Sequence, residues 1–363
     1  MSAVLRSGPI AADTAIVLLG AGVVGGALLR LLQTPAAAGI HLVGAANSTR
    51  QIANARGIVP ARIGAALAQS NLPRDDAQLL AALDASGAAQ RVVVDATASD
   101  AEAAQHAGWL AAGYHVVSAN KAASGDALAG WNGLKRASAS AGTVYGDAAT
   151  VGAGLPVLST LRRLRDCGDR LLALDGVFSG SLSWLFNQFD GRRAFSDLLR
   201  EARAFGYTEP DPRIDLGGAD VARKLLILAR TAGHALDADA VEIESLVPSG
   251  LRALDVAAFL DRASEFDAAL EARRAAAASN GRLLRFLARL EENGRARVGL
   301  CEVEPTHPAA RLCGTDNLFA LTTQRYRAQP LVIQGPGAGP EVTAQALLGD
   351  VLGLRAAAVA YAV

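Results

Sequence analysis

The sequence has little lysine, cysteine, methionine or aromatic character, and each shortage excludes something. Only Lys121, Lys135 and Lys224 are lysines among 35 basic residues, so arginine is the ordinary surface cation. Those 35 bases face 35 acids. Without a basic excess to neutralise a phosphate backbone, a nucleic-acid partner is not expected. The three cysteines, Cys167, Cys301 and Cys313, are odd in number and too scattered for a disulfide framework or a CxxC metal clip. A reducing, cytoplasmic setting is the expectation. The histidines, His41, His106, His115, His234 and His307, show no HxxxH or HxH spacing and read as surface or packing residues. Long apolar runs are also missing. Residues 15–29 come nearest, with a GxxxG pair at Gly22 and Gly26, but they fall short of the roughly 20 residues of a span. Asp13 and Arg30 bracket them and no small-residue cleavage site follows, so neither a membrane helix nor a signal peptide is expected.

What is present is a core-forming chain of two domains' length. Its 363 residues are 51% hydrophobic and 19% charged, which rules out intrinsic disorder. Residues 15–19 are a continuous apolar run, as a strand buried on both faces requires, and residues 23–32 have helical character. Between them stands Gly20-Ala21-Gly22-Val23-Val24-Gly25, a GxGxxG fingerprint in the strand, turn and helix context that dinucleotide binding needs. Gly20 serves the turn, Gly22 has no Cβ to obstruct a pyrophosphate, Gly25 lets helix and strand approach, and the helix N-terminus offers unpaired N–H groups.

A second strand, 41–46, ends where an acidic residue would hold the ribose 2′-hydroxyl, and here the sequence reads Asn47-Ser48-Thr49-Arg50. Hydroxyls and the Arg50 guanidinium would accept a 2′-phosphate that a carboxylate repels, so NADP or dual use is expected. Further strands at 91–96 and 114–118 run into Thr97 and into Asn120-Lys121. These loops fall at carboxyl ends of parallel strands, where open α/β sheets bind ligands.

The densest polar region is residues 206–224. Its loop carries Glu209, Asp211 and Asp215, and a helix over 220–232 puts Asp220 and Lys224 on one face. An i, i+4 ion pair explains those two locally. The extra carboxylates beside a lysine also suit a small zwitterion, with acids for its ammonium and an amine able to pass a proton to an alcohol oxygen. Lys135, in contrast, reads as an exposed helix cation.

Several of these segments, GAGVVGG at the start, SANK at 118–121, ATVGAGLPV at 149–157, Gly180-Ser181-Leu182-Ser183, the long GYTEPDPRIDLGGADVARKLLILAR and QGPGAGPEVTA at 334–344, resemble homoserine dehydrogenase in family order. The resemblance implies interconversion of L-aspartate 4-semialdehyde and L-homoserine with NAD or NADP, in the route to threonine and methionine. It implies that Lys224 is the acid/base and that Lys121, at the junction of cofactor and substrate, is the other candidate proton donor. Glu209 and Asp220 correspond to substrate-binding carboxylates, with Asp215 and Gly180 beside them. Gly20, Gly22, Val23, Val24, Gly25, Arg50, Thr97, Lys121 and Gly339 fall at cofactor positions, and Gly206 next to the nicotinamide. A monovalent cation, usually sodium, is held in the family by main-chain carbonyls at positions matching Ala148, Val151, Ala153 and Leu155. Ala148 stands where many members have an acid. A homodimer is the family habit.

The expected fold is α/β: a Rossmann-type dinucleotide-binding domain over 1–146, a second α/β substrate and dimerisation domain over 147–329, and a segment 330–363, helical over 342–352, returning to the first. Alanine-rich 261–289 reads as helices of the second domain. No aspartokinase half or regulatory ACT domain is expected, nor threonine feedback through one. Two rival readings are an acylating semialdehyde dehydrogenase and a nicotinamide sensor without turnover. Cys167 sits between Asp166 and Asp169, the opposite of the electropositive setting an acylated thiol needs, and the lysine with its carboxylates argues for turnover.

Overall fold

The computed structural model describes residues 14–360, so the first 13 positions of the expected dinucleotide domain and the last three of the tail lie outside the described residues. The chain divides into two compact units, one of residues up to Gly154 together with Ala338 onward, the other Leu155–Gly337.

The first unit is built on a six-stranded sheet of β1 (Thr14–Leu19), β2 (Ile40–Ala46), β3 (Gln51–Ala53), β4 (Gln90–Asp95), β5 (His115–Ser118) and β6 (Tyr145–Gly146), ordered β3-β2-β1-β4-β5-β6. Neighbours pair in parallel except β3, which runs antiparallel to β2. Every residue of β1 is buried, because alternate side chains enter separate cores on the two faces of the sheet. Ile16 and Leu18 pack with the helix Val23–Leu31, and Ala15, Val17 and Leu19 pack with Leu79, Leu83 and Leu110. The last helix, Pro340–Ala360, inserts Ala344, Leu347, Leu348, Val351 and Leu354 into the first of these cores. Burying a leucine or valine stabilises by about 1.5–3 kcal/mol, so this helix is an integral part of the sheet's cover.

The second unit carries β7 (Leu171–Val177), β8 (Val241–Ile243), β9 (Leu283–Leu290), β10 (Ala296–Val303), β11 (Asp316–Thr323) and β12 (Leu331–Pro336), ordered β12-β11-β7-β9-β10-β8. This sheet is antiparallel except where β8 joins β10. Two expectations need correction here. Residues 261–289 are not helical throughout: the helix Asp267–Ser279 stops at Asn280 and Gly281, whose φ is +69°, and 283–290 become β9. Leu284 to Ala288 are all buried between β7 and β10, and a run buried on both faces needs no alternation to be a strand. The segment from 330 also stays longer in the second unit than the 330–363 boundary has it, because β12 pairs with β11 before the chain returns at Ala338.

Candidate active site

In the first unit the fingerprint turn lies at the carboxyl end of β1. Gly20 has φ +90°, and a Cβ on it would stand 2.9 Å from the Thr97 methyl and 3.0 Å from the Ala96 carbonyl, so only glycine lets this turn and the loop after β4 meet. A Cβ on Gly25 would overlap the Gly20 carbonyl oxygen at 1.9 Å, which is why the helix Val23–Leu31 can rest on the turn. Gly22 is different. A Cβ there would meet nothing within 4 Å, so protein packing does not require glycine at that position. Gly22 is also the N-cap of that helix, with no side-chain cap and no acid in the first turn, and Val23 is largely exposed with Val24 half-buried beside it. Open space over uncapped N–H groups fits a dinucleotide pyrophosphate.

The loop after β2 is closed by Asn47, whose Oδ1 accepts the N–H groups of Thr49 at 2.9 Å and Arg50 at 2.7 Å. The Arg50 guanidinium is exposed and donates to the Ala68 carbonyl at 2.9 Å, so one of its nitrogens is steadied by the end of the helix Ile63–Gln69. Thr97 donates its N–H to Asp95 Oδ1 at 2.8 Å. Lys121 is half-buried at the start of the short helix Ala122–Gly125, and Lys135 is exposed on the helix Leu128–Ala141. Gly339 precedes the last helix, and its carbonyl accepts from Thr343 Oγ1 at 2.7 Å.

Ala148 and Val151 follow in the same unit, and Ala153 has the positive φ of +50°, rare outside glycine. Ala148 lacks a carboxylate of its own, yet its N–H donates to Asp350 Oδ2 at 2.9 Å, so the last helix supplies negative charge to this loop. Leu155 is the first residue of the second unit.

In the second unit the helix Ala219–Thr231 begins at Gly218, whose φ is +77°. Asp220 lies in its first turn, where a negative charge is favoured, and Lys224 is one turn on. Lys224 Nζ reaches Asp220 Oδ2 at 2.7 Å and donates to the Phe178 carbonyl at 2.7 Å. Asp215 Oδ1 accepts from Ser181 Oγ at 2.7 Å, and its Oδ2 accepts the Glu209 N–H at 2.9 Å. Burial pushes the Asp215 carboxyl up, against the lowering pull of those two hydrogen bonds. Gly180 opens the helix Gly180–Gln188, capped by Ser179, and a Cβ on it would stand 3.2 Å from the Thr315 carbonyl oxygen. The turn at Gly206 is held by its neighbours Phe205 and Tyr207, both packed on Trp184.

The structure therefore joins Lys224 to Asp220, and joins Asp215 to Ser181 and the Glu209 loop, in one unit, and joins Gly20 to Thr97 in the other. Both carboxylate oxygens of Asp215 are engaged within the chain, which makes it the pin of the Glu209 loop. The Glu209 side chain is exposed. Sequence reasoning missed the Phe178 carbonyl, since a main-chain acceptor leaves no residue-type signal, and missed Asp350, which is 202 residues from its partner. It also missed that His106 is fully buried, against Asp95. Ser181 was within reach, because it stands in the GSLS run.

Comparison with known proteins covers most of the described chain. The family model of the homoserine dehydrogenase NAD-binding domain matches residues 20–145, and that of homoserine dehydrogenase matches 156–352. A chloroplastic bifunctional aspartokinase/homoserine dehydrogenase 2 of Zea mays is 39% identical over 94% of this chain, which spans 38% of that protein's length. The homoserine dehydrogenase of Saccharomyces cerevisiae is 38% identical over 93% of this chain and 96% of its own. Among solved structures, a protein of unknown function from Candida auris superposes with a TM-score of 0.87 at 35% identity, covering 94% of this chain and 98% of that one. This chain, with an NAD-binding domain joined to the family's second domain, belongs to the homoserine dehydrogenase family.

Proposed function

We propose that the protein interconverts L-aspartate 4-semialdehyde and L-homoserine with NADPH or NADH. The observation that carries this reading is the Lys224–Asp220 pair on a motif the family model covers, one turn above the N-terminus of its helix. The nicotinamide nucleotide, when bound, supplies the hydride. In the reductive direction negative charge develops on the carbonyl oxygen. Lys224 stabilises that charge and gives up a proton from Nζ, and Asp220 and the Phe178 carbonyl hold Nζ in place. Glu209 takes the substrate ammonium, with Asp215 fixing the loop that carries it. The uncapped N–H groups at Gly22 and Val23 hold the pyrophosphate, and Arg50 favours a 2′-phosphate over a bare hydroxyl. Lys121 stands at the end of β5 as the second candidate donor.

A monovalent cation on the main chain at Ala148, Val151 and Ala153 belongs to the same reading, supported by the Asp350 carboxylate beside Ala148. So does a homodimer in a reducing compartment; the free cysteines Cys167, Cys301 and Cys313 are in keeping with the latter. The test is oxidation of NADPH and of NADH, followed by absorbance, with aspartate 4-semialdehyde as sole acceptor and homoserine identified as product. Aldehyde-dependent oxidation is expected with both nucleotides, faster with NADPH at equal concentration. Nucleotide binding without turnover would leave a sensor instead.

A further inference from the structure

Behind the loops that carry Thr97 and Lys121 lies a chain of polar side chains, centred on a buried acid and imidazole, that neither the fingerprint nor the lysine and carboxylate chemistry uses. Asp95 closes β4, and His106 reaches it from the helix Asp100–Ala111; both are completely inaccessible. His106 Nε2 is 3.0 Å from Asp95 Oδ2, and the same oxygen accepts from Asn120 Nδ2 at 3.1 Å. Asp95 Oδ1 takes the Thr97 N–H at 2.8 Å. Asn120 extends the chain in two directions, donating from Nδ2 to the Ser99 carbonyl at 2.8 Å and accepting the Ala122 N–H on Oδ1 at 3.1 Å. On the far side of the ring, His106 Nδ1 is 3.2 Å from the Tyr145 hydroxyl.

Donor counting gives this chain one direction. Burial pushes the Tyr145 phenol upward, so its oxygen keeps the proton, and that hydroxyl also meets Ser118 and Ser124; the ring is oriented from its other nitrogen, where Asp95 Oδ2 can only accept. The imidazole proton is then on Nε2, facing the carboxylate. That tautomer satisfies both ring nitrogens, and the reverse one would set a bare nitrogen lone pair against a carboxylate oxygen. A buried acid and imidazole of this kind adds little net stability compared with apolar side chains filling the same space, so its use here lies in what it orients.

We propose that His106 is a positioning residue: it fixes the Asp95 carboxylate so that Asp95 holds Thr97 and Asn120 together, and through Asn120 it sets the main chain of Lys121. The inference rests on the proposed function for the claim that the Thr97 and Lys121 loops face the reacting groups. It predicts that the strand ends of β4, β5 and β6 move as one when the ring is lost, while the pyrophosphate turn at Gly20 to Gly25 does not.

The test compares His106→Leu, His106→Gln and Tyr145→Phe with the parent protein by amide hydrogen exchange, by NADPH binding through nucleotide fluorescence, and by kcat and KM. His106→Leu is expected to raise exchange at the Thr97 and Ala122 amides by about tenfold or more and to lower kcat by a similar factor, because small misplacements of positioned groups are expensive. NADPH affinity falls less than kcat, since the pyrophosphate contacts at Gly22 and Val23 are kept and only those of the Thr97 and Lys121 loops are loosened. His106→Gln, which can still donate to Asp95, recovers part of both losses, and Tyr145→Phe falls between. If His106→Leu does not fold, the other two variants carry the test. Lower thermal stability with unchanged kcat per folded molecule, or faster exchange spread evenly over β1 and the Gly20 turn, would overturn the proposal. If the parent shows no turnover at all, the functional reading fails, and the exchange pattern still decides whether His106 holds these loops.

Discussion

Lys224 Nζ lies 2.7 Å from the carboxylate of Asp220, one helical turn before it, and 2.7 Å from the carbonyl of Phe178 at the end of β7. The lysine side chain is 12% exposed and the aspartate 45%, so the amine is enclosed and its partner faces outward. An exposed i, i+4 pair would be worth only a few tenths of a kcal/mol. Here the second contact, to a main-chain oxygen of another element, turns the pair into a fixed mount for the amine. Lys224→Ala is expected to lower kcat by about 10²–10⁴, the range for a general acid, with the circular dichroism spectrum unchanged. Lys224→Arg should recover little, because guanidinium does not exchange its proton at working pH. Near-parental turnover in Lys224→Ala would move the proton to Lys121.

The fingerprint glycines separate folding from binding. Gly25→Ala drives a methyl into the Gly20 carbonyl, so thermal stability is expected to fall by several degrees and cofactor binding with it. Gly22→Ala meets no protein atom, so its melting temperature should match the parent's while NADPH affinity falls by about tenfold or more from obstruction of the pyrophosphate. Equal effects of the two on stability would contradict the assignment of open space at Gly22 to a ligand.

Asp215 gives a pH signature. Its carboxyl is raised in the folded chain chiefly by burial, so the folded state binds more protons than the unfolded state between the ordinary carboxylate value and the raised one. The contribution of this group is therefore fully present below the ordinary carboxylate range and lost as pH rises through the raised value. Urea unfolding midpoints across the mildly acidic range should carry that slope in the parent and lose it in Asp215→Asn. That variant also presents an amide that can no longer accept from both Ser181 and the Glu209 N–H. Loss of a hydrogen bond of this kind costs about 0.5–1.5 kcal/mol, and the raised KM for the aldehyde that follows from a loosened Glu209 loop is the second check.

Much of this was legible in the residues. The unbroken apolar run of β1 and the glycines after it announce strand, turn and helix, and the offset of four between Asp220 and Lys224 puts both on one helix face. What the sequence hid were contacts of long separation or of main-chain atoms: Asp350 at Ala148, the Phe178 carbonyl at Lys224, and His106 against Asp95. A lone histidine in an alanine-rich helix carries no mark of a buried acid partner on a neighbouring strand. The strand β9 was hidden for another reason, since its residues, buried on both faces, lack the alternation that separates strand from helix.

In the proposed function Arg50 is the cation placed to meet a 2′-phosphate. One guanidinium nitrogen is held by the Ala68 carbonyl, which fixes the side chain while the group stays exposed. Arg50→Ala is expected to raise KM for NADPH by about tenfold, as for loss of a charge-assisted phosphate contact, and to leave KM for NADH nearly unchanged. A parallel rise for both nucleotides would give Arg50 a purely structural part in the loop that Asn47 closes.

Hydride transfer to the aldehyde is tested by following the hydrogen itself. The protein is incubated with aspartate 4-semialdehyde and NADPH carrying deuterium at the transferable position of nicotinamide C4, and the product is analysed by mass spectrometry. Homoserine with one deuterium at the former aldehyde carbon is expected, formed in step with NADP, and nearly absent with Lys224→Ala. NADPH that is bound but not oxidised, or homoserine formed without the label, would contradict it.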